Sequence, residues 1–279
     1  MRKNKILAVI FVLAVASIPA LAGGYDSFSR GVDANNIGED DVAIASFSDA
    51  ISAGDLAPSY LPSALAGRAR AYLQKERCVP AAADLDQAIA LKPDYVDAYV
   101  LRANARACLS GPAAALKDIT AAINLRPAAP FYFQRARLLW GVGDFPHAAT
   151  DAAQATAIDP RNPYILLWTG IVEDRMGRLD RDKLSRGAAS FNAQEWPTPL
   201  LGLYSGAATP DDVYRAVALG NSTKAMNERR CEADFYVGEW QLTRRNAAAA
   251  AELFKTAIRE CPHDFIAFEG ARQELTRLQ

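Results

Sequence analysis

Histidine is almost missing from this chain, with two in 279 residues, and there are only four cysteines. That leaves too few soft ligands, too widely scattered, for a histidine-based metal site, and no cofactor or metal is expected. No excess of basic charge is present either: 31 lysines and arginines stand against 32 acids, giving a net charge of −1. A chain so balanced lacks the electrostatic footprint of a nucleic-acid binder. It carries no Gly-x-Ser-x-Gly elbow, no His-Glu-x-x-His pair and no phosphate-cradling loop, so no catalytic signature marks it as an enzyme. Its longest apolar run, Ile6 to Ile18, falls short of the roughly 20 residues of a membrane span. What is abundant is alanine, about a fifth of all residues, within a 51% apolar and 23% charged composition. Such a chain has ample core material and favours closely packed helices.

The amino terminus gives an address. Arg2, Lys3 and Lys5 precede the apolar run, and Pro19 with Ala20-Leu21-Ala22 follows it. A basic start, a short apolar middle and a small-x-small end make residues 1–22 a secretory signal peptide cleaved after Ala22. Leu21-Ala22-Gly23 opens like a bacterial lipoprotein box, but Gly24 stands where the lipidated cysteine belongs. Without a thiol no thioether lipid forms, so no stable membrane anchor is expected once the leader is gone. The destination implied is a bacterial periplasm; the alternative is an uncleaved anchor.

A repeat of 34 residues organises the rest. Pro93, Pro127 and Pro160 are spaced 34 and 33 apart, and the segments before them align. The first carries Ala69, Tyr72, Ala81, Leu85 and Ala88; the next Ala103, Ala115, Ile119 and Ala122; the third Ala136, Leu139, Ala148, Ala152 and Ala155. Gly31, Ala43, Phe47 and Ala50 fit upstream, and Gly238, Ala250, Phe254, Ala257 and Pro262 fit near the end. This is the spacing of a tetratricopeptide repeat, two antiparallel helices per unit. Small residues let the axes approach, a larger one fills the gap against the neighbour, and proline stops the second helix. One such unit cannot bury its apolar face, so units stack. The fold class expected is all-α, a right-handed α-solenoid of stacked helix hairpins. Its parts are four units over 23–162, a degenerate helical repeat with an irregular insert over 163–230, and a last unit with a capping helix over 231–279. Within the insert, Thr209-Pro210-Asp211-Asp212 predicts a helix start, with a capping threonine, proline and acids in the first turn.

In the insert and beyond, the chain resembles the NlpI-type tetratricopeptide lipoproteins of Gram-negative bacteria. The residues that carry the likeness are Glu195-Trp196, Leu203-Tyr204-Ser205-Gly206, Asp211-Asp212-Val213-Tyr214, Asn227 to Ala233 and Asp234-Phe235-Tyr236-Val237-Gly238. The closing repeat adds Ala250, Glu252-Leu253-Phe254-Lys255, Phe265 and Glu274-Leu275. The resemblance implies a homodimeric scaffold that brings envelope proteins together, peptidoglycan hydrolases and a processing protease among them. The missing lipid cysteine departs from that family's pattern.

Cys78 and Cys108 are 30 residues apart, as are Cys231 and Cys261, with midpoints at Pro93 and Asn246. Both midpoints are predicted turns of antiparallel helix pairs, so each pair faces across a hairpin and can reach disulfide geometry. Each closed loop adds about 3.5 kcal/mol on the chain-entropy model. The alternative is four separate buried thiols.

Six residues recur on the first helices of successive units: Arg68 and Arg70, Arg102 and Asn104, Arg135 and Arg137. First helices of such stacks line a concave groove, and Arg70, Asn104 and Arg137 stand near the position that points into it. Arginine and asparagine there can clamp the backbone or a carboxylate of an extended peptide. The other reading is a solvated ladder, in which the arginines bridge to acids of neighbouring repeats. Tyr25, Phe28, Tyr132, Phe133 and Trp140 offer apolar contact or core, and His147 and His263 sit at helix boundaries as surface caps. The expected function is a periplasmic adaptor that binds other envelope proteins or extended peptides. The competing readings are an envelope enzyme with its site in 163–230, and a purely structural dimer joined through Leu200 to Leu203 or through the first repeat.

Overall fold

The computed structural model describes residues 23–263 and 265–279; the leader reading of residues 1–22 lies outside the described residues. Among the described residues there are helices and no strands. The first eight helices form four consecutive hairpins. They are α1 (Gly24–Ile37) with α2 (Asp40–Ser52), α3 (Leu61–Gln74) with α4 (Cys78–Leu91), α5 (Val96–Ser110) with α6 (Pro112–Leu125), and α7 (Ala129–Gly141) with α8 (Phe145–Ile158). Among the described residues no helix is long and apolar enough to cross a membrane.

The alanine pattern explains the stacking. In each second helix a small residue, a second residue four positions on and an alanine three further on are buried almost completely. The sets are Ala43, Phe47, Ala50; Ala81, Leu85, Ala88; Ala115, Ile119, Ala122; and Ala148, Ala152, Ala155. These offsets put all three side chains on one helix face, which seats between the first helix of its own hairpin and the first helix of the next one. The approach is closest at Phe47, whose ring lies where Gly31 on α1 and Gly67 on α3 have no side chain; a Cβ on Gly67 would stand 2.4 Å from the ring. Helices α4, α6 and α8 each stop two residues before Pro93, Pro127 and Pro160. Proline restricts the preceding residue to extended backbone, so the turn to the next unit falls at a fixed place.

After α8 the stack becomes irregular. Asn162 caps α9 (Pro163–Arg175) by accepting from the backbone of Tyr164 and Ile165. Three short helices follow, α10 (Arg181–Ala188), α11 (Thr198–Ser205) and α12 (Pro210–Val217). The last begins with the expected capping residue, Thr209, in a reciprocal box with Asp212. Regular structure resumes at α13 (Thr223–Thr243), within the stretch assigned to the insert, and continues through α14 (Ala247–Glu260) and α15 (Ile266–Arg277). Here Phe254 covers Gly238 and Phe235 covers Gly270, as Phe47 does at the other end. Trp140, Trp168, Phe235, Tyr236 and Phe254 share one core that joins α7–α9 to α13–α15. Leu200, Leu201 and Leu203 lie inside it, at most 1% exposed. They therefore offer no exposed face for pairing, which corrects that reading of the insert: α11 is held as a core helix against α9.

The four cysteines stand in two pairs at bonding distance. Cys78, opening α4, meets Cys108 near the end of α5, Sγ–Sγ 1.92 Å; Cys231 in α13 meets Cys261 just past α14, Sγ–Sγ 2.03 Å. Each pair spans a hairpin whose turn lies near the middle of its 30-residue separation.

Candidate peptide groove

The six recurring residues of the first helices divide into two sets of opposite role. Arg68, Arg102 and Arg135 are not groove residues. Each lays its guanidinium fork on an aspartate 16 residues ahead, in the second helix of its own hairpin. Arg68 donates to Asp84 at 2.8 and 2.7 Å, Arg102 to Asp118 at 3.0 and 2.7 Å, and Arg135 to Asp151 at 2.6 and 2.8 Å. The remaining nitrogen of each reaches back to the preceding unit, to Ser48, Asp86 and Thr120 respectively. Three rungs thus bind each hairpin internally and to its predecessor. The aspartates are buried, so this is an internal ladder rather than a solvated one. The fork matches a carboxylate in two parallel charge-assisted bonds, which raises the pKa of all three arginines against the cost of burial.

Arg70 and Asn104 are exposed on α3 and α5. The Asn104 carbonyl accepts from the Gln134 amide of α7 at 2.6 Å, which aligns the two inner faces. On α7, Gln134, Arg137 and Gly141 share one face by spacing. Arg137 is half-buried, 5.7 Å from the Phe133 ring, and looks toward Tyr236 and Glu269. Burial lowers its pKa. Among the described residues no acceptor lies within hydrogen-bonding distance of its guanidinium. The aromatics divide as well: Trp140 is core, while Tyr25 stays 57% exposed at the open end beside Tyr60.

One rim of this trough is α15. Just before it, His263 lies 3.5 Å from Glu76 at the α3–α4 turn; the ring of Phe268 is 4.6 Å from the imidazole. Further along, Gln273 occupies the space above Gly141, and Arg277 donates to the carbonyls of Trp140 and Gly141. His263 and α15 together therefore reach from the α3–α4 turn to the end of α7. A buried ionic cluster fixes it there. Arg175 of α9 donates to Glu239 of α13 at 3.1 Å and to Glu274 of α15 at 2.5 Å, and Arg277 pairs with Glu274. Glu239 Oε1 has no partner among the described residues, and burial pushes its carboxyl up to about 7 despite the two nearby arginines. Sequence reasoning missed this cluster, whose members lie up to 102 positions apart with no motif between them. A weak signal existed in α15 itself: Glu274 falls on the apolar face of Ala267, Gly270 and Ala271.

The insert holds an open cleft of about 820 Å³ between α10, α11 and α12, lined largely by alanines, Phe191, Pro199, Gly202 and Leu219. The carboxylate on its wall is Asp212, held down to about 2 by hydrogen bonds from the Thr209 hydroxyl and backbone and by Arg215. A group so acidic is a poor general base near neutrality. His147 is a surface side chain beside the capping Asp144 at 2.8 Å.

No protein-family model matches the chain. Among solved structures, a tetratricopeptide repeat protein from Parabacteroides merdae ATCC 43184 superposes with a TM-score of 0.58 at 15% identity, over 90% of this chain and 98% of that one. The MamA protein superposes with a TM-score of 0.50 at 18% identity, over 59% of this chain and 87% of that one. The fold is a tetratricopeptide-type solenoid. At these identities the likeness concerns shape alone.

Proposed function

We propose that the chain is a periplasmic adaptor that grips extended segments of other envelope proteins in the trough floored by α3, α5 and α7. The observation that carries this reading is the division of the recurring polar residues. One set is consumed in the ladder, while Arg70, Asn104 and Arg137 remain along the inner faces as donors toward a polypeptide backbone or carboxylate. The leader over residues 1–22 and two cysteine pairs at bonding distance support an oxidising compartment outside the cytoplasm. The resemblance to NlpI-type proteins favours peptidoglycan hydrolases or a protease as the molecules brought together. Self-pairing, which that resemblance implies, falls to the open first hairpin, where Tyr25, Val32 and Ile37 are exposed on α1.

A photo-crosslinking residue at position 70 or 104, used in cells and followed by mass spectrometry, tests the adaptor. Discrete envelope proteins captured at these positions, and not from a control position on α14 such as Glu252, support it. Capture equal to the control removes it, and recovery of the protein from the cytoplasmic fraction removes the compartment.

A further inference from the structure

The two cysteine pairs differ in what a thiol from solvent can reach. Cys231 and Cys261 are buried, at 0% and 6% exposure, within the core of the last unit. In the other pair Cys78 is buried, at 5%, but Cys108 is exposed. The two sulfurs of that pair also stand in opposite electrostatic settings. Cys78 is the first residue of α4, whose first turn receives no side-chain cap, and Arg77 precedes it. Orphan N–H groups, the positive end of the helix dipole and the neighbouring cation all favour a thiolate there. The Glu76 carbonyl, 3.5 Å from the Cys78 sulfur, can accept from the thiol once that thiolate has taken up a proton. Cys108 lies in the last turn of α5, where free carbonyls and the negative end of the dipole disfavour a thiolate.

We propose that the Cys78–Cys108 bond is a thiol-exchange site of fixed polarity, at which an external thiolate enters on Cys108 and Cys78 departs. The incoming sulfur bonds to Cys108 Sγ, the Sγ–Sγ bond breaks, and its electron pair leaves on Cys78 as the thiolate. A second external thiolate then attacks the sulfur bound to Cys108, and Cys108 leaves and takes up a proton. Two external thiols are thereby oxidised to one disulfide, and the pair is reduced to two thiols. Access decides which sulfur is attacked, and the more acidic thiol is the better leaving group, so both effects act in the same direction here. The co-reactant is a thiolate, carried by a small molecule or by a cysteine of another protein. The bond ties the start of α4 to the end of α5, and so the second unit to the third. Exchange unfastens that one joint of the stack, while the buried pair keeps the last unit closed.

The test exposes the full mature chain at neutral pH to 2-mercaptoethanol, or to a short peptide carrying one cysteine. Samples are trapped with N-ethylmaleimide in mild acid and mapped by mass spectrometry, with circular dichroism recorded alongside to show that the helices persist. Cys78–Cys108 should open about ten-fold faster than Cys231–Cys261, or more. At early times the added thiol should sit on Cys108 and the maleimide on Cys78. Arg77→Glu, at an exposed position, sets an anion beside the departing sulfur and should slow opening by about three-fold or more. Equal rates for the two pairs, as when both open only through unfolding, overturn the inference. So do early adducts on Cys78, an unchanged rate in Arg77→Glu, or four free thiols before any thiol is added. Opening by 2-mercaptoethanol but not by the peptide supports the site with small thiols as its source. Opening by the peptide alone supports it with protein cysteines as the source.

Discussion

Loss of one rung of the arginine ladder should cost stability in proportion to what remains around its aspartate. Among the described residues Asp151 has one cation, Arg135, and its side chain is 7% exposed. Replacing Arg135 with Met keeps the aliphatic packing but leaves that carboxylate buried and unpaired. Removing one partner of a buried pair costs about 3–5 kcal/mol. Because the Arg135 side chain is itself 23% exposed and water can follow its loss, about 2–4 kcal/mol is the expected penalty. Asp118 is buried more deeply, at 1%, yet keeps Arg106 at 2.9 Å when Arg102 is removed. Arg102→Met should therefore cost only about 1–2 kcal/mol, less than its deeper burial alone suggests. Arg70→Met touches no partner and should change stability by less than about 0.5 kcal/mol.

The assay is urea unfolding read in two ways, by far-ultraviolet circular dichroism for all helices and by tryptophan fluorescence for the stretch from α7 to α13, where Trp140, Trp168, Trp196 and Trp240 lie. A solenoid need not unfold in one step, and Trp140 and Trp168 report the part next to Arg135. The double variant Arg135→Met with Asp151→Leu should recover to within about 1 kcal/mol of the parent, since a well-packed apolar pair can replace a buried ion pair. If Arg135→Met and Arg70→Met are equally harmless, the rungs are solvated arms, and Arg135 returns to the list of groove residues. If Arg102→Met is costlier than Arg135→Met, Arg106 does not act as a second cation.

Three further outcomes follow from the packing and charge. The carboxyl of Glu239 is raised by burial from 4.5 to about 7, so the folded state favours its neutral form. This contribution is complete below about pH 4.5 and is lost as pH rises through 7, a fall of about 3 kcal/mol. Glu239→Gln should flatten the urea midpoint between pH 5 and 8, and an unchanged slope would refute the assignment. In denaturant without reductant the chain should show no reactive thiol, and four would end the case for disulfides. Gly67→Ala should cost about 1–3 kcal/mol by driving a methyl into the Phe47 ring, and Phe47→Leu in that background should restore part of it. A harmless Gly67→Ala would mean that the ring is free to move aside.

The repeat was legible because each of its requirements acts within one unit. A small residue at a helix crossing, a large residue four positions on and a proline after the helix recur at a fixed period, and local chemistry alone decides them. The ladder was only half legible. Arg68, Arg102 and Arg135 recur visibly, but so do Arg70, Asn104 and Arg137 two positions later, and two positions on a helix turn a side chain by about 200°. Whether a given residue faces its own second helix or the trough depends on which face is buried. The aspartates decide it: Asp84, Asp118 and Asp151 each precede the midpoint of the second helix's buried face (Leu85, Ile119 or Ala152). A charged residue repeated beside a core position in three units needs a repeated partner, and the arginine at constant separation is that partner. The contact of α15 with α7 was not legible, because it depends on how far the stack curves. Small rotations between hairpins accumulate over four units before His263 can reach Glu76 and Arg277 can reach Gly141. No residue carries that angle by itself. The seating of α15 on the end of α7 is therefore a property of the assembled curve. A deletion of one hairpin that preserves every local motif should abolish it.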